Sequence, residues 1–255
     1  GAVESNVLVT GAAGNVAQML WPGLDGVKVR AVDVREFSGW AGADMAVGDL
    51  ADPGFVSTVL SGVDAVVHLA ANPMPMARWA DLRAPNIDAV VNVLESARSL
   101  GVRKVVLASS VHAVGGYVGS DMGVIEPSWP ARPCCAYGAT KVFAEGYGHM
   151  VSATSDVSVV VLRLGACQWR PVDTGALAGW LAPDDLQRMV RAALDADVSY
   201  GTYFGVSANT RTAYDIDNAR RDLRYEPMGD SEEFAAELPD GVGGMCLGRR
   251  SGIAR

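Results

Sequence analysis

Val7-Leu8-Val9-Thr10-Gly11-Ala12-Ala13-Gly14-Asn15-Val16-Ala17 begins as an unbroken apolar run, stops at a glycine and resumes as a helical pattern. Three aliphatic residues and a threonine without a polar interruption suit a strand covered on both faces. Gly11 permits a tight turn, Gly14 lets the backbone approach a ligand closely, and Ala17 is small enough for a helix to lie against the strand. A βα turn that binds nothing has the same appearance, so the turn needs its context.

The same grammar repeats outward. Val-rich or otherwise apolar runs fall at 27–32, 45–47, 65–69, 105–107 and 157–164, with helical patterns at about 14–21, 53–60, 84–100 and 136–153 between them. Strand and helix in alternation predict an α/β fold, a doubly wound parallel sheet of the Rossmann type. Past Leu164 the pattern loosens around Pro171, Gly175, Gly179 and Pro183. A helix from Pro183 to Ala196, a strand over 202–206 and a helix over 216–223 complete it. No repeat or linker divides the chain, so residues 1–255 read as a single domain with a small C-terminal substrate-binding portion, mainly 166–238. The Gly- and Arg-rich stretch 239–255 is expected to be poorly ordered.

Composition limits the function classes. In 255 residues, 49% are hydrophobic and 20% charged, as expected of a chain with a full core. A net charge of -8 speaks against nucleic acid or an anionic membrane as partner and leaves a small molecule as the expected one. No run is long and apolar enough for a membrane span. Residues 1–6 lack a basic segment followed by an apolar one, which predicts no signal peptide. The four cysteines, Cys134, Cys135, Cys167 and Cys246, include no CxxC pair, and the three histidines lie far apart. This spacing predicts no metal site, and sparse cysteine fits a reducing, cytoplasmic compartment.

Gly11, Ala13, Gly14, Asn15 and Val16 would receive a pyrophosphate at the start of the first helix. Asp33 ends the second strand some twenty residues later, where a carboxylate accepts hydrogen bonds from an adenosine ribose. A carboxylate there repels a 2′-phosphate, which favours NAD over NADP, although Arg35 lies near enough to welcome one. Asp49 and Leu50 follow the third strand and could hold the adenine edge; a helix cap is the equal alternative for Asp49.

Tyr137-Gly138-Ala139-Thr140-Lys141 opens a helix, so Tyr137 and Lys141 share one face. A phenol with a pKa of about 10 is a poor acid–base group at neutrality, and an ammonium one turn away is expected to lower it. Ser109 and Ser110 end the fifth strand, at the edge where such sheets bind ligands, and a Ser110 hydroxyl there can bond a substrate oxygen.

With glycine turn, Asp33, Ser110 and YxxxK in this order, the chain resembles the extended short-chain dehydrogenase/reductase superfamily, also called the NAD-dependent epimerase/dehydratase family, over roughly residues 7–228. The resemblance implies that Tyr137 is the general acid/base, that Lys141 orients the ribose and tunes Tyr137, and that Ser110 polarises the reacting C–O bond. It places Leu69, Ala70, Ala71, Asn86 and Ser109, with Tyr137 and Lys141, along the NAD. Within the superfamily the chain is similar to uronate dehydrogenases, through Ser109-Ser110-x-His112, Arg163-x-Gly165-x-Cys167, Trp180, Asp184-Asp185 and Ser207-Ala208-Asn209. It departs from them where they carry polar substrate contacts: Pro73, Val111, Ala166 and Gly175 stand at those positions. Arg170 is the nearby cation that could substitute. The substrate-site candidates are therefore Pro73, Ser110, Val111, His112, Ala166, Arg170 and Trp180, and the expected substrate is a less polar hydroxyl or carbonyl compound.

A sugar or nucleotide-sugar epimerase that recycles NAD internally is the alternative. No carboxylate follows Ser110 for an elimination, and little C-terminal material remains to hold a nucleotide-sugar. A non-catalytic NAD-binding module is the second alternative, although such a protein would not need both Tyr137 and Lys141. The resemblance also implies a homodimer through helices 84–100 and 136–153, where Ala97, Ala139 and Ala144 are small enough for close approach.

Overall fold

The structure, a computed structural model, describes residues 5–246. Its centre is a 7-stranded sheet in the order β3-β2-β1-β4-β5-β6-β9, with every pair parallel. The strands are β1 Asn6–Thr10, β2 Lys28–Asp33, β3 Asp44–Val47, β4 Ala65–His68, β5 Lys104–Ser110, β6 Ser158–Leu164 and β9 Tyr200–Gly205. Two short strands, β7 Ala166–Cys167 and β8 Trp180–Leu181, pair with each other beside it. Every residue of β4 and β5 is buried, as their lack of polar alternation requires.

Helices cover both faces. α1 Asn15–Leu20, α6 Pro183–Asp195 and α7 Asp217–Leu223 share one core cluster with Val7, Val9, Ala31 and Val160. α2 Pro53–Leu60, α4 Ala89–Leu100 and α5 Ala136–Thr154 share the other with Leu8, Val66, Val105 and Val159. Ala97 and Ala144 belong to this second core, whereas Ala139 faces outward.

The helix expected over 84–100 starts earlier, as α3 Trp79–Arg83, and passes through a π turn at Ala84–Asp88 before α4. Pro85 lacks an amide hydrogen and interrupts the helical ladder, and a local π turn absorbs the mismatch. The order turns back at β1 and β4. From β1 the chain runs outward through β2 and β3, then returns to β4 on the other side, which opens a crevice above the strand ends.

Residues 239–246, expected from composition to be loosely held, are docked. The Thr174 amide donates to the Pro239 carbonyl at 3.0 Å, the Gly241 amide to Thr174 Oγ1 at 3.3 Å, and Cys246 is buried. The remainder of that stretch, 247–255, lies outside the described residues.

Candidate active site at the strand ends

A cleft of about 900 Å³ runs across the carboxyl ends of β1, β2, β4, β5 and β6. At its first end Gly11 has φ 72°, a left-handed conformation that favours glycine. A Cβ there would lie 2.8 Å from the Ala70 nitrogen, so the β1 and β4 turns can pass only because none exists. Gly14 is the extended residue before α1, no side chain caps that helix, and Asn15 and Val16 line the cleft with it. Asp33, Asp49, Leu50, Leu69, Ala70 and Ala71 complete this wall. Asp33 is held by two amides: Ala13 N donates to Oδ2 at 2.9 Å and Arg35 N to Oδ1 at 3.2 Å. Ala13 itself lines a smaller depression next door, with Gln18 and Arg35.

Ser110, Tyr137 and Lys141 meet at the other end. Tyr137 and Lys141 are one turn apart on α5, and Lys141 Nζ stands 5.6 Å from the Tyr137 ring centre. Lys141 Nζ donates to the Ala108 carbonyl at 3.1 Å. Burial, opposed by the Glu145 carboxylate, lowers the Lys141 ammonium to about 8. Tyr137 does not follow the expectation of a lowered pKa. Burial pushes its phenol above the ordinary value, and the hydrogen bond with Ser110 pulls the other way. Desolvation of the phenolate outweighs the help of its polar neighbour.

The helix carrying this pair is fastened to the sheet by a buried knot. Arg163 of β6 grips Glu145 of α5 with two bonds, Nη2 to Oε1 at 2.8 Å and Nε to Oε2 at 2.9 Å. The Ser109 hydroxyl donates to the same Oε2 at 2.6 Å, so Ser109 lines the cleft while its hydroxyl serves the knot. Asn86 is not among the lining residues. Its side chain accepts from the Asn72 amide at 2.7 Å and donates to the Asn72 carbonyl at 3.1 Å and to Thr140 Oγ1 at 3.2 Å, bracing the 72–73 turn against α5.

The candidate substrate residues divide. Pro73, Ser110 and His112 line the cleft. Val111, Ala166, Arg170 and Trp180 do not. Val111 points into a small core with Val114 and Phe204. Ala166 pairs with Trp180. Trp180 is buried, its indole donating to the Gln168 carbonyl at 2.9 Å. Arg170 turns outward to Glu237 at 3.0 Å and over the Phe234 ring. Leu164, Gly165, Cys167, Gln168 and Trp169 supply that wall instead. The Arg163-x-Gly165-x-Cys167 pattern points to that segment, and nothing in the sequence marks which of its residues turn inward.

His112 has neighbours that its sequence position does not announce. Its Nδ1 faces Cys134 Sγ at 3.2 Å and Cys135 Sγ at 3.5 Å, and Cys246 is close by. Residues whose sequence spacing predicts no metal site thus form a group that could hold an ion. Hydrogen bonds from Cys134, His112 and the Gly138 amide hold the Cys135 thiol below its usual value.

A doubly wound sheet with a cleft at its switch point, a glycine turn at one end and a Ser–Tyr–Lys cluster at the other defines the short-chain dehydrogenase/reductase class. Residues 7–167 match the NAD dependent epimerase/dehydratase family, and the chain belongs to it. It is 32% identical to the NAD-dependent glucose-6-phosphate dehydrogenase of Haloferax volcanii, over 92% of this chain and 97% of that one. It is 31% identical to a uronate dehydrogenase of Pseudomonas putida, over 92% and 88%. Among solved structures, a mutant uronate dehydrogenase from Agrobacterium tumefaciens complexed with NAD superimposes with a TM-score of 0.84 at 28% identity, covering 90% of this chain and 87% of that one.

Proposed function

We propose that this chain is an NAD-dependent dehydrogenase that moves a hydride between the nicotinamide and an uncharged hydroxyl or carbonyl compound. The observation that carries the reading is the meeting of Ser110, Tyr137 and Lys141 in the cleft that runs back to Gly11 and Asp33. The residues fit the dinucleotide: the Gly11 turn tolerates no Cβ, and the backbone before α1 is uncapped and lines the cleft. Gly14, Asn15 and Val16 would hold the pyrophosphate, Asp33 the adenosine ribose, and Lys141 the second ribose. When bound, NAD supplies the carbon that accepts or gives the hydride.

The chain's own part is the proton. Tyr137 takes it from the substrate hydroxyl in oxidation and returns it in reduction. Ser110 bonds the same oxygen and shares a hydrogen bond with Tyr137. Charge on Lys141 favours the phenolate that this step requires. The Asp33 carboxylate disfavours a 2′-phosphate, so NAD is the preferred form over NADP.

The substrate end supports an uncharged partner. Arg35, His112 and Lys141 are the basic side chains on the cleft wall, and His112 turns its Nδ1 to the sulfurs of Cys134 and Cys135. Arg35 stands at the β2 end, and Lys141 is committed to Ala108. A uronate carboxylate or a sugar phosphate would be buried beside Pro73, Leu164 and Cys167 without a cation, at a cost of several kcal/mol. NADH formation, followed by absorbance with uncharged alcohols and aldoses against uronates and sugar phosphates, tests this. The uncharged compounds should turn over. Glucuronate or galacturonate used at micromolar KM would end the proposal.

A homodimer is part of the same reading. Ala139, Phe143, Gly146 and Met150 recur at helical spacing along the outer face of α5, with Phe143 39% and Met150 37% exposed. The Tyr147 hydroxyl donates to Glu95 at 2.7 Å and ties α5 to α4, so the two would pack as a unit. Phe143→Glu should convert the dimer to a monomer in sedimentation. A cytoplasmic location is proposed as well: none of the four cysteines is in a disulfide, and among the described residues no helix is long and apolar enough to cross a membrane.

A further inference from the structure

Four side chains from three distant stretches converge beside the start of α5. His112 stands in the helical turn after β5, Cys134 and Cys135 immediately precede α5, and Cys246 ends the described chain. His112 Nδ1 lies 3.2, 3.5 and 3.7 Å from the sulfurs of Cys134, Cys135 and Cys246. The two neighbouring sulfurs are 4.0 Å apart, and all four donor atoms fall within 4.8 Å of one another.

We propose that His112, Cys134, Cys135 and Cys246 form a structural zinc site. Tetrahedral zinc, with bonds of about 2.3 Å to sulfur and about 2.0 Å to nitrogen, sets nitrogen and sulfur roughly 3.5 Å apart and two sulfurs roughly 3.8 Å apart. The nitrogen–sulfur spacings bracket the first value, and the 4.0 Å between the sulfurs of Cys134 and Cys135 lies just above the second. Hydrogen bonds also link these groups, from Cys134 Sγ to the His112 carbonyl at 3.8 Å and from the Gly138 amide to Cys135 Sγ at 3.4 Å, but Nδ1 of a neutral imidazole can serve only one of the three sulfurs around it. Three thiolates and an imidazole are the donor set that suits zinc, and four protein ligands leave no open position, so the role is structural. Binding releases the thiol protons to solvent.

The surroundings are shaped for the cluster. A Cβ on Gly115 would collide with the Cys134 sulfur, and a Cβ on Gly138 with the His112 carbonyl. Residues 239–242 are exposed, yet the segment ends in the buried Cys246, against the other three. The ion would pin this segment to Cys135, the N-cap of α5, two residues before Tyr137. The proposal does not rest on the dehydrogenase reading, since metal binding is measured without turnover.

The full chain, reduced with a phosphine, is titrated with zinc against a chromophoric chelator, and separately with cobalt(II). One zinc per chain and the intense visible bands of tetrahedral cobalt thiolate are expected. Zinc should also shield Cys134, Cys135 and Cys246 together from a maleimide, read by mass spectrometry, while labelling of Cys167 stays as it was. Cys246→Ser should lose the stoichiometric zinc and Cys167→Ser should keep it. Failure of the reduced wild-type chain to take up zinc would overturn the site. So would shielding that omits any of the three cysteines.

Discussion

Between β1 and β5 the cleft wall is supplied by the turns at the strand ends, with small residues at Gly11, Gly14, Gly48, Ala70 and Ala71. Past β5 it is supplied by the end of β6 at Leu164, by β7 at Cys167 and by the residues that follow, Gln168 and Trp169, the last 72% exposed. The first wall is anchored in the sheet, with its hydrogen-bond ladder and two hydrophobic cores. The second leads, through the Trp180 indole that donates to the Gln168 carbonyl, into a carboxy-terminal portion held by buried polar pegs. Asp185 is the chief one: fully buried, it accepts from the Ser207 hydroxyl at 2.6 Å, the Met228 and Gly229 amides at 2.8 and 2.9 Å, and Arg188 at 2.8 Å. On the proposed assignment, nucleotide recognition is built from parts that cannot easily vary, and substrate recognition from parts that can.

The sharpest test separates chemistry from both walls. Tyr137→Phe keeps the ring and its packing but removes the proton carrier. We expect turnover to fall by about 10²- to 10⁴-fold, with NAD affinity, measured by calorimetry, little changed. Undiminished turnover would break the assignment.

Next comes the peg. Asp185→Ala leaves four donors without their acceptor and should cost about 3–5 kcal/mol. If the comparison holds, thermal melts will show the carboxy-terminal portion loosening first while NAD still protects the sheet. Loss of NAD binding in step with that loosening would show that the two walls are not separable.

The sheet half carries its own pH signature. The Thr10 hydroxyl accepts the Leu69 and Ala70 amides at 3.0 and 3.1 Å, so its proton goes to His68 Nδ1 at 2.8 Å. The His68 proton therefore sits on Nε2, which is buried without a hydrogen-bond partner among the described residues. Burial, helped by Lys141, lowers His68 to about 3. A base whose folded pKa lies below its unfolded value stabilises the fold less as pH falls. Stability should therefore drop from pH 6.5 toward 3, by up to about 1.4 kcal/mol per pH unit. His68→Asn should flatten that slope in denaturant titrations.

The smallest effect expected is at Ser110. Its hydrogen bond is what draws the buried Tyr137 phenol downward. The rate of alcohol oxidation should rise with pH as Tyr137 ionises, and Ser110→Ala should move that rise to higher pH. A limb that stays in place would mean Ser110 serves the substrate alone.

The difference between the walls also explains what could be read from the sequence. Val7 to Thr10, Gly11, Asp33 and Tyr137-x-x-x-Lys141 are local patterns whose spacing follows from strand and helix geometry, and the fold is legible from them; the meeting of Ser110 with Tyr137 and Lys141 came with the family resemblance. The inward turn of Cys167, Gln168 and Trp169 depends on how a loop lies over β6, which no periodicity encodes. Arg170 was expected near the substrate because it is a cation close in sequence, but Glu237, 67 positions later, draws it outward. The His112–cysteine cluster spans 134 positions and passed unseen for the same reason: its members are neighbours only after the tail has docked.

The knot of Ser109, Glu145 and Arg163 has a bearing on redesign. Glu145 lies one turn beyond Lys141 on α5, so the helix cannot slide along the sheet without breaking a bidentate ion pair and a hydroxyl bond together. The register of proton carrier and strand end is thus independent of the loops. An engineer seeking a new substrate can start from the side chains at 73, 168 and 169, treating α5 and β6 as one fixed chassis.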